Sequence, residues 1–399
     1  MTVSDGKAGG RLQSIDALRA LALFGVIVMN FGAMVMRFDG PNIRLHAGGA
    51  DLAAMAFSLI LIQGKARMLF AMLFGMGIAI SLARGAASGR PAGIIHAQRM
   101  AALFLIGVLN QLFLFWGDIL ATYAILGLLL WFARDWRPAA LLRVGLLLVL
   151  GSPLLLAAIE LLAGPVPSLV PLDGKAFAAA GRALLLHGDW LDRLDFFAGQ
   201  AWFRRGTDTA HAVLADITLL GTFLIGAWVA RVGLLTDPAA HRPLLRRVAI
   251  GCIPIGLLVC IVNAARLGGI ALSPVASALV SAAYVGIAIF AAGYAALFTL
   301  WFARGGRRVE ALLAPAGRMG LTNYLASGAI GCALFYGHGL ALMGDVGMLD
   351  TVLLAAATFA LLLAVSHLWL GAFRLGPAEW LWRWLAGARL SRRRPVEAH

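Results

Sequence analysis

Ten long apolar stretches dominate this chain, and most are long enough to cross a lipid bilayer as helices. They lie near 15–36, 66–83, 100–116, 118–133, 140–163, 212–231, 248–266, 275–302, 321–343 and 351–373. Hydrophobic residues make up 61% of the 399 residues and charged residues only 13%, and a membrane-spanning helix needs roughly 20 apolar residues. We therefore predict an all-α, polytopic transmembrane bundle of about ten spans.

The distribution of Lys and Arg predicts the orientation of this bundle. Basic residues concentrate in every second loop, whereas the long segment 164–210 holds five Lys or Arg and five Asp. Because cytoplasmic loops carry the excess of basic residues, we expect both termini in the cytoplasm. We predict one integral-membrane domain over 1–399, with an N-terminal half at 12–163, an extracytoplasmic loop at 164–210 and a C-terminal half at 211–399. The short stretch 51–63 fits a re-entrant or interfacial helix before the second span.

The charge balance and the cysteines exclude several classes of function. The net charge of +14 fits basic loops beside anionic lipid headgroups, so membrane lipids are expected partners and nucleic acid is not. Cys252, Cys260 and Cys332 all lie in predicted spans without a CxxC pattern, so we expect neither a disulfide framework nor a metal site. Segment 164–210 mixes aromatic residues with Asp and Arg, which favours an interfacial helix, with a lid over a site as the alternative.

Polar residues inside the first span are the first functional clue, because they are costly in a membrane. Asp16 and Arg19 are three residues apart, and Asn30 follows Arg19 by eleven residues. All three therefore share one face of a helix. They fit either a substrate site or a topology-setting ion pair with an amide that bonds a neighbouring helix.

The next spans carry further candidates. Lys65 and Arg67 lie at the predicted outer side, where they suit either an anionic group or a snorkelling anchor. Arg99 and Asn110 are again eleven residues apart and share a face. Asp118 falls at a tight break between two spans, within WGDIL. A carboxylate at that depth can serve as a general base, a proton carrier or a partner of a cation.

The ninth span, in GRMGLTNYLASGAIGCALFYGHG, contains another polar group. Arg318 and Thr322 are neighbours on one helix face. Asn323 and Tyr324 enter the membrane and require partners there. His338 lies near the outer end, where it fits a catalytic base or an ordinary packing residue.

Six stretches in order resemble the YeiB-like family of bacterial inner-membrane proteins, which has a domain of unknown function, number 418, in its C-terminal half. They are DALRALALFGVIVMN, GKARMLFAMLFGMG, WGDILATYAILGLL, LIGAWVARVGLL, GRMGLTNYL and FRLGPAEWLWR. The resemblance implies a multi-pass protein of the bacterial inner membrane and is compatible with a homodimer. It implies no particular activity.

The first span is also similar to that of membrane acyltransferases, which open with a comparable Asp-x-x-Arg, here Asp16 and Arg19. In one branch a catalytic histidine follows the Asp by fourteen residues, and Asn30 stands at that position. The branch resembling heparan-glucosaminide acetyltransferase also tends to Asn there. Asn110 is a second departure, since many YeiB-like sequences have His. The remaining candidate bases are Asp118 and His338.

We consider two functions. The first is an acyltransferase that moves an acyl group from a cytoplasmic donor, such as an acyl-CoA, to a small-molecule or lipid acceptor at the outer side. The second is a carrier or channel for a small anionic or lipid-like solute. A scaffold for a partner protein is a third, less specific alternative. The predicted catalytic residues are Asp118, His338, Asn30 and Asn110. The predicted substrate- or donor-binding residues are Asp16, Arg19, Lys65, Arg67, Arg99, Arg318, Thr322, Asn323 and Tyr324. No cofactor is predicted apart from such an acyl-CoA-like donor.

Overall fold

Sixteen α-helices, two short π-helical segments and one 3-10 turn form the helical structure in the described part of the chain. The computed structural model describes residues 4–35, 48–87, 92–164, 166, 174–207, 209–267 and 274–387. The helices are α1 Ser4–Val35, α2 Gly49–Phe57, α3 Lys65–Ala87, α4 Ala92–Phe113, α5 Leu120–Leu130, α6 Pro138–Leu146, α7 Ser152–Ala163, α8 Gly174–His187, α9 Trp190–Thr207, α10 Thr209–Val232, α11 Arg242–Leu267, α12 Pro274–Arg304, α13 Arg307–Arg318, α14 Gly320–Phe335, α15 Met348–Ala372 and α16 Pro377–Leu385. The predicted all-α polytopic bundle is confirmed.

Eight helical stretches in the described ranges are long and apolar enough to cross a membrane. The predicted fourth and ninth spans, 118–133 and 321–343, form shorter helices, Leu120–Ala133 and Gly320–Phe335. The stretch 51–63 forms α2 and one π-helical turn, Ser58–Ile62. Gly64 then adopts a φ of +80°, which glycine tolerates without strain, and the chain re-enters a helix at Lys65.

Close contacts between helices depend on small residues, as expected where apolar surface gives no driving force between helices in lipid. A side chain at Gly226 of α10 would stand 2.1 Å from the Met72 carbonyl oxygen of α3, and one at Gly75 would stand 2.5 Å from the Phe223 carbonyl oxygen. Only glycine allows α3 and α10 to approach this closely. The central helix α1 packs against α3, α13, α14 and α15.

Segment 164–210 contains α8 and α9, which pack together at one end of the bundle. Phe196 and Phe197 of α9 are buried in the main apolar core, and Phe197 contacts Tyr336. The Gly337 N–H also donates to the Leu185 carbonyl at 3.0 Å. The predicted interfacial helix therefore packs onto the protein itself. The side chains of Trp202 and Phe203, which belong to the same aromatic pattern, lie outside the described part.

Candidate functional site

A polar cluster of Asn110, Asp118 and Tyr324 lies inside the bundle, where α4, the turn before α5 and α14 meet. The Asn110 amide nitrogen donates to Asp118 Oδ1 at 2.8 Å, and the Tyr324 hydroxyl donates to the same oxygen at 3.1 Å. The Ala121 N–H donates to Asp118 Oδ2 at 3.1 Å. Asn110 and Tyr324 are buried, whereas Asp118 keeps partial exposure. The carboxylate is thus held in one orientation but remains reachable.

The turn 114–119 folds back into the bundle and carries Asp118 with it. At the start of the turn, Cys332 of α14 donates to the Leu114 carbonyl at 2.6 Å. Farther along the turn, Asp118 meets Tyr324, which precedes Cys332 by eight residues on α14. Eight helical residues correspond to about 12 Å along the helix axis. Asp118 therefore lies inside the bundle, away from the end of α4 and toward the middle of the helices.

Two glycines, Gly107 and Gly328, pack against this cluster. A side chain at Gly107 would stand 2.4 Å from the Ala121 nitrogen and 3.0 Å from Asp118 Oδ2. A side chain at Gly328 would stand 3.7 Å from Asn110 Oδ1. That amide oxygen is buried without a hydrogen-bond partner in the described structure. The cluster thus contains a buried acceptor atom that a donor group of a ligand would satisfy.

Arginines from α1 and α4 form a second group, toward the beginning of α1 and the end of α3. Arg19 donates to Asp16 at 2.8 Å. Its Nη2 lies 3.5 Å from the point that a side chain at Gly77 would occupy. Arg99 donates to Ser81, one helical turn from Gly77 on α3. Arg19 and Arg99 therefore approach the same face of α3 from two sides.

The short helix α16 completes this basic group. The Arg99 guanidinium carbon lies 5.0 Å from the Trp382 ring centre, and the Trp382 indole N–H donates to the Arg99 carbonyl at 2.6 Å. Such cation–π contacts orient a guanidinium without neutralising its charge. Arg99 thus keeps its charge available to an anion.

Arg318 at the end of α13 lies at the same end of the bundle, close to Asp16. A side chain at the preceding Gly317 would collide with the Asp16 carbonyl, so α13 and α1 touch there. Arg318 is exposed, and its guanidinium reaches the Arg374 carbonyl only at 3.5 Å. The structure therefore brings Asp16, Arg19, Arg99 and Arg318 to one end. We call these three arginines, together with Asp16, the basic group.

The distance between the basic group and the polar cluster can be measured along α4. Arg99 and Asn110 both belong to α4 and are eleven residues apart. Eleven helical residues rise by about 16 Å. An extended ligand with an anionic head and a reactive end could contact both.

Comparisons with known proteins support the predicted family resemblance. Residues 229–389 match the family described as "Protein of unknown function (DUF418)". The chain is also 29% identical to "Uncharacterized protein YxaH" of Bacillus subtilis over 395 residues, which covers 94% of this chain and 93% of the relative. It is 29% identical to "Uncharacterized protein YeiB" of Escherichia coli over 394 residues, covering 93% and 95%.

The predicted resemblance to the YeiB-like family is confirmed, and both relatives match this chain over almost its whole length. The region matched by the family lies within the predicted C-terminal half. Tyr324 lies inside the matched region, whereas Asn110 and Asp118 precede it. The polar cluster is therefore built from both halves of the chain.

Lys65 and Arg67, predicted to bind an anionic group, lie apart from the basic group. Lys65 is buried, and its ammonium donates to the carbonyls of Leu59 and Gln63 at 2.7 and 2.8 Å. These bonds close the π-helical turn before α3, so Lys65 has a structural task. The Arg67 Nε is buried without a hydrogen-bond partner in the described structure. Its backbone carbonyl accepts a hydrogen bond from the Tyr123 hydroxyl.

Thr322 and Asn323 hold helices together. The Asn323 amide donates to the Ala316 carbonyl at 3.1 Å and to the Ser366 hydroxyl at 2.9 Å, which ties α13, α14 and α15. Thr322 donates to Glu379, whose carboxylate also accepts the Leu321 N–H at 2.7 Å. Both amide hydrogens of Asn323 are thus engaged. Asn30 is partly exposed on α1, and the structure places no hydrogen bond on its side chain within the described ranges.

His338 lies at the opposite end of the bundle from the basic group. It is exposed in the turn after α14 and interacts through Nδ1 with Arg193 of α9. His338 follows Tyr324 by fourteen residues, and the twelve to Tyr336 alone rise by about 18 Å. The two predicted bases, Asp118 and His338, therefore do not share a site.

Sequence reasoning missed Ser81, Trp382 and Glu379. Glu379 is a buried acid that caps the beginning of α14. Burial raises the pKa of this carboxyl, and the hydrogen bonds from Thr322 and Leu321 partly offset that effect. A single acid among the tryptophans of GPAEWLWRW was the available signal, because an acid within an apolar helix face needs donors.

Proposed function

We propose that this protein is an acyltransferase of the bacterial inner membrane. It would move an acyl group from an activated donor, bound at the basic group, to an acceptor that reaches the polar cluster from the other side. The observation that carries the proposal is the partly exposed Asp118 carboxylate, held by Asn110 and Tyr324 inside the bundle. Its partner Asn110 lies about 16 Å along α4 from Arg99, and guanidinium groups suit phosphate.

The donor would bind through its phosphates. Arg19 and Arg99 flank one face of α3, and Arg99 keeps its charge because its partners are a hydroxyl and an indole ring. Guanidinium groups bind phosphate oxygens with two parallel hydrogen bonds. An acyl-CoA has this layout, with phosphates at one end and a thioester at the end of a long flexible arm. The arm would run along α4 toward Asn110.

In the chemical step, Asp118 takes the proton from the acceptor hydroxyl or amine. The acceptor atom attacks the thioester carbonyl carbon, the carbon–sulfur bond breaks, and the leaving thiolate takes up a proton. The acyl group is then bonded to the acceptor, and the free thiol leaves with the donor. Such general-base catalysis contributes about 10²- to 10⁴-fold in rate. The free acceptor atom of Asn110 would orient the incoming hydroxyl or amine.

The first test is donor binding in lipid nanodiscs, with palmitoyl-CoA and acetyl-CoA as the probes and native mass spectrometry as the readout. We expect a CoA-sized adduct that is weakened about tenfold in Arg99→Ala. Arg134→Ala is the matched control, because the Arg134 guanidinium also lies over a tryptophan, Trp131, outside the basic group. Equal loss in both variants would contradict a specific site.

The second test separates transfer from transport. We expect slow release of free CoA thiol from bound donor in the wild type, and none in Asp118→Asn with donor binding retained. A donor that binds, stays intact and exchanges across the membrane of proteoliposomes would instead support a carrier for an anionic solute.

A further inference from the structure

A groove lies on the exposed face of α11, apart from the basic group and the polar cluster. It has a volume of about 630 Å³ and is lined by Arg242, Pro243, Arg246, Arg247, Ile250 and Gly251. Residues 242, 246 and 250 are spaced by four, as are 243, 247 and 251. The lining residues in the described part of the chain therefore lie on two adjacent stripes of one helix.

Among the described residues, no carboxylate pairs with the arginines of the groove. Arg246 and Arg247 are exposed, and neither makes an ion pair within the described part of the chain. Two neighbouring guanidinium groups, with Arg242 beside them, raise the local positive potential. An anion placed between them gains from several charge-assisted hydrogen bonds at once.

The rest of the groove is apolar and exposed. Ile250 is 62% exposed, and a side chain at Gly251 would meet nothing within 4 Å. The apolar surface continues along the helix through Ile255 and Leu258, which are 56% and 63% exposed. Only 11% of the apolar stretch of α11 is buried inside the protein, against 56% for α10. Charged groups and exposed hydrocarbon thus adjoin on one helix face.

We propose that this groove is a binding site for an anionic phospholipid. The phosphate would lie between Arg246 and Arg247, with Arg242 at its edge. The acyl chains would follow the exposed face from Ile250 to Leu258. A soluble phosphate compound would use the arginines but leave this apolar face uncovered, so the combined chemistry favours a lipid.

Lipid retention tests the proposal. The full-length protein would be reconstituted with phosphatidylglycerol, cardiolipin and phosphatidylcholine in equal amounts and released for native mass spectrometry. We expect retained anionic lipids on the wild type, reduced about tenfold in the Arg246→Ala/Arg247→Ala double variant. Arg307→Ala/Arg308→Ala is the matched control, since it removes the same charge from an exposed pair outside the groove, and it should retain the wild-type amount.

Three outcomes would overturn the proposal. The first is a folded double variant that retains as much anionic lipid as the wild type. The second is displacement of the lipid by glycerol phosphate at equal concentration, which would show that the apolar face contributes nothing. The third is a double variant with a changed oligomeric state and unchanged lipid retention, which would make the groove a contact between copies of the chain. A thermal melt of each variant confirms that lipid retention is compared between folded proteins.

Discussion

Asp118 and His338 both have side chains that can accept a proton, but the two differ in burial and in the number of their hydrogen-bond partners. Asp118 lies inside the bundle and receives hydrogen bonds from Asn110, Tyr324 and the Ala121 backbone. His338 is exposed in a turn and faces a single polar partner, Arg193. The first group is held in one orientation next to a free acceptor atom. The His338 ring, in contrast, lies at the protein surface.

This difference indicates where chemistry can be supported. A catalytic base must be held within hydrogen-bond reach of its substrate, and neighbouring groups must fix its direction. Asp118 meets these conditions, and a path of about 16 Å along α4 joins its cluster to the arginines. His338 lies beyond the far end of that path. If the comparison is correct, substitutions around Asp118 should affect activity far more than substitutions around His338.

The largest effect is expected for Asp118→Asn. Asparagine has nearly the same shape and keeps an acceptor oxygen for Asn110 and Tyr324, but it cannot take a proton at neutral pH. Acyl transfer should fall by about 10²- to 10⁴-fold, with donor affinity within about twofold of the wild type. Thiol release and native mass spectrometry measure the two quantities. A variant with full activity would remove Asp118 from the mechanism.

Gly107→Ala is expected to show the next largest effect, on stability as well as activity. Its Cβ would stand 2.4 Å from the Ala121 nitrogen, and this backbone atom cannot move aside without shifting the turn that holds Asp118. Overpacking of this kind costs about 1–3 kcal/mol. The melting temperature in detergent should therefore fall. Gly371→Ala on α15 is the control, because its Cβ would meet nothing within 4 Å, and it should melt at or above the wild-type temperature.

Tyr324→Phe should reduce transfer more moderately, by about tenfold, because Asp118 loses one of three hydrogen bonds and keeps its charge. The carboxylate would then be less firmly oriented, and the loss should appear in kcat rather than in donor affinity. Ser327→Ala is a useful comparison, since its hydroxyl bonds only the Tyr324 carbonyl one turn away. A loss as large as that of Asp118→Asn would mean that Tyr324 itself takes part in proton transfer.

The contrast between the two regions was only partly visible in the sequence. Long apolar runs predict membrane helices because, in hydrocarbon, every backbone N–H and C=O of a span must be hydrogen-bonded within the protein. That part of the fold is confirmed. The spacing of Asp16 and Arg19 also predicts their ion pair, since both lie within one turn of one helix. Local periodicity was sufficient for these features.

The composition of the polar cluster depends on tertiary structure and was not predictable in the same way. Asn110 and Tyr324 are 214 residues apart, and they meet only because the turn 114–119 folds back into the bundle. The sequence WGDIL does not indicate how far that turn extends into the helix bundle. Asp118 and His338 are therefore equivalent candidates in the sequence but not in the structure. Glu379 was missed for the same reason, because its donors come from α14.

The smallest effect is expected for His338→Ala, and it completes the comparison. Transfer should stay within about twofold of the wild type, because the histidine lies about 18 Å or more along α14 from Tyr324. Partial desolvation and the Arg193 guanidinium lower the pKa of His338, which favours the neutral ring at pH 7. A histidine with a lowered pKa in the folded protein favours folding above its unfolded pKa of about 6.5, and that contribution disappears as the pH falls through the folded value.

His338→Ala should therefore leave the pH dependence of transfer unchanged but slightly flatten the fall in melting temperature below about pH 6.5. His187→Ala, a histidine change at the end of α8, serves as the control for removing an imidazole near the same surface. The two readouts separate the roles, because a catalytic base would change the pH profile of kcat, whereas a packing residue changes only the pH profile of stability. A large loss of transfer in His338→Ala, with Asp118→Asn still active, would reverse the comparison and place the chemistry at the turn after α14.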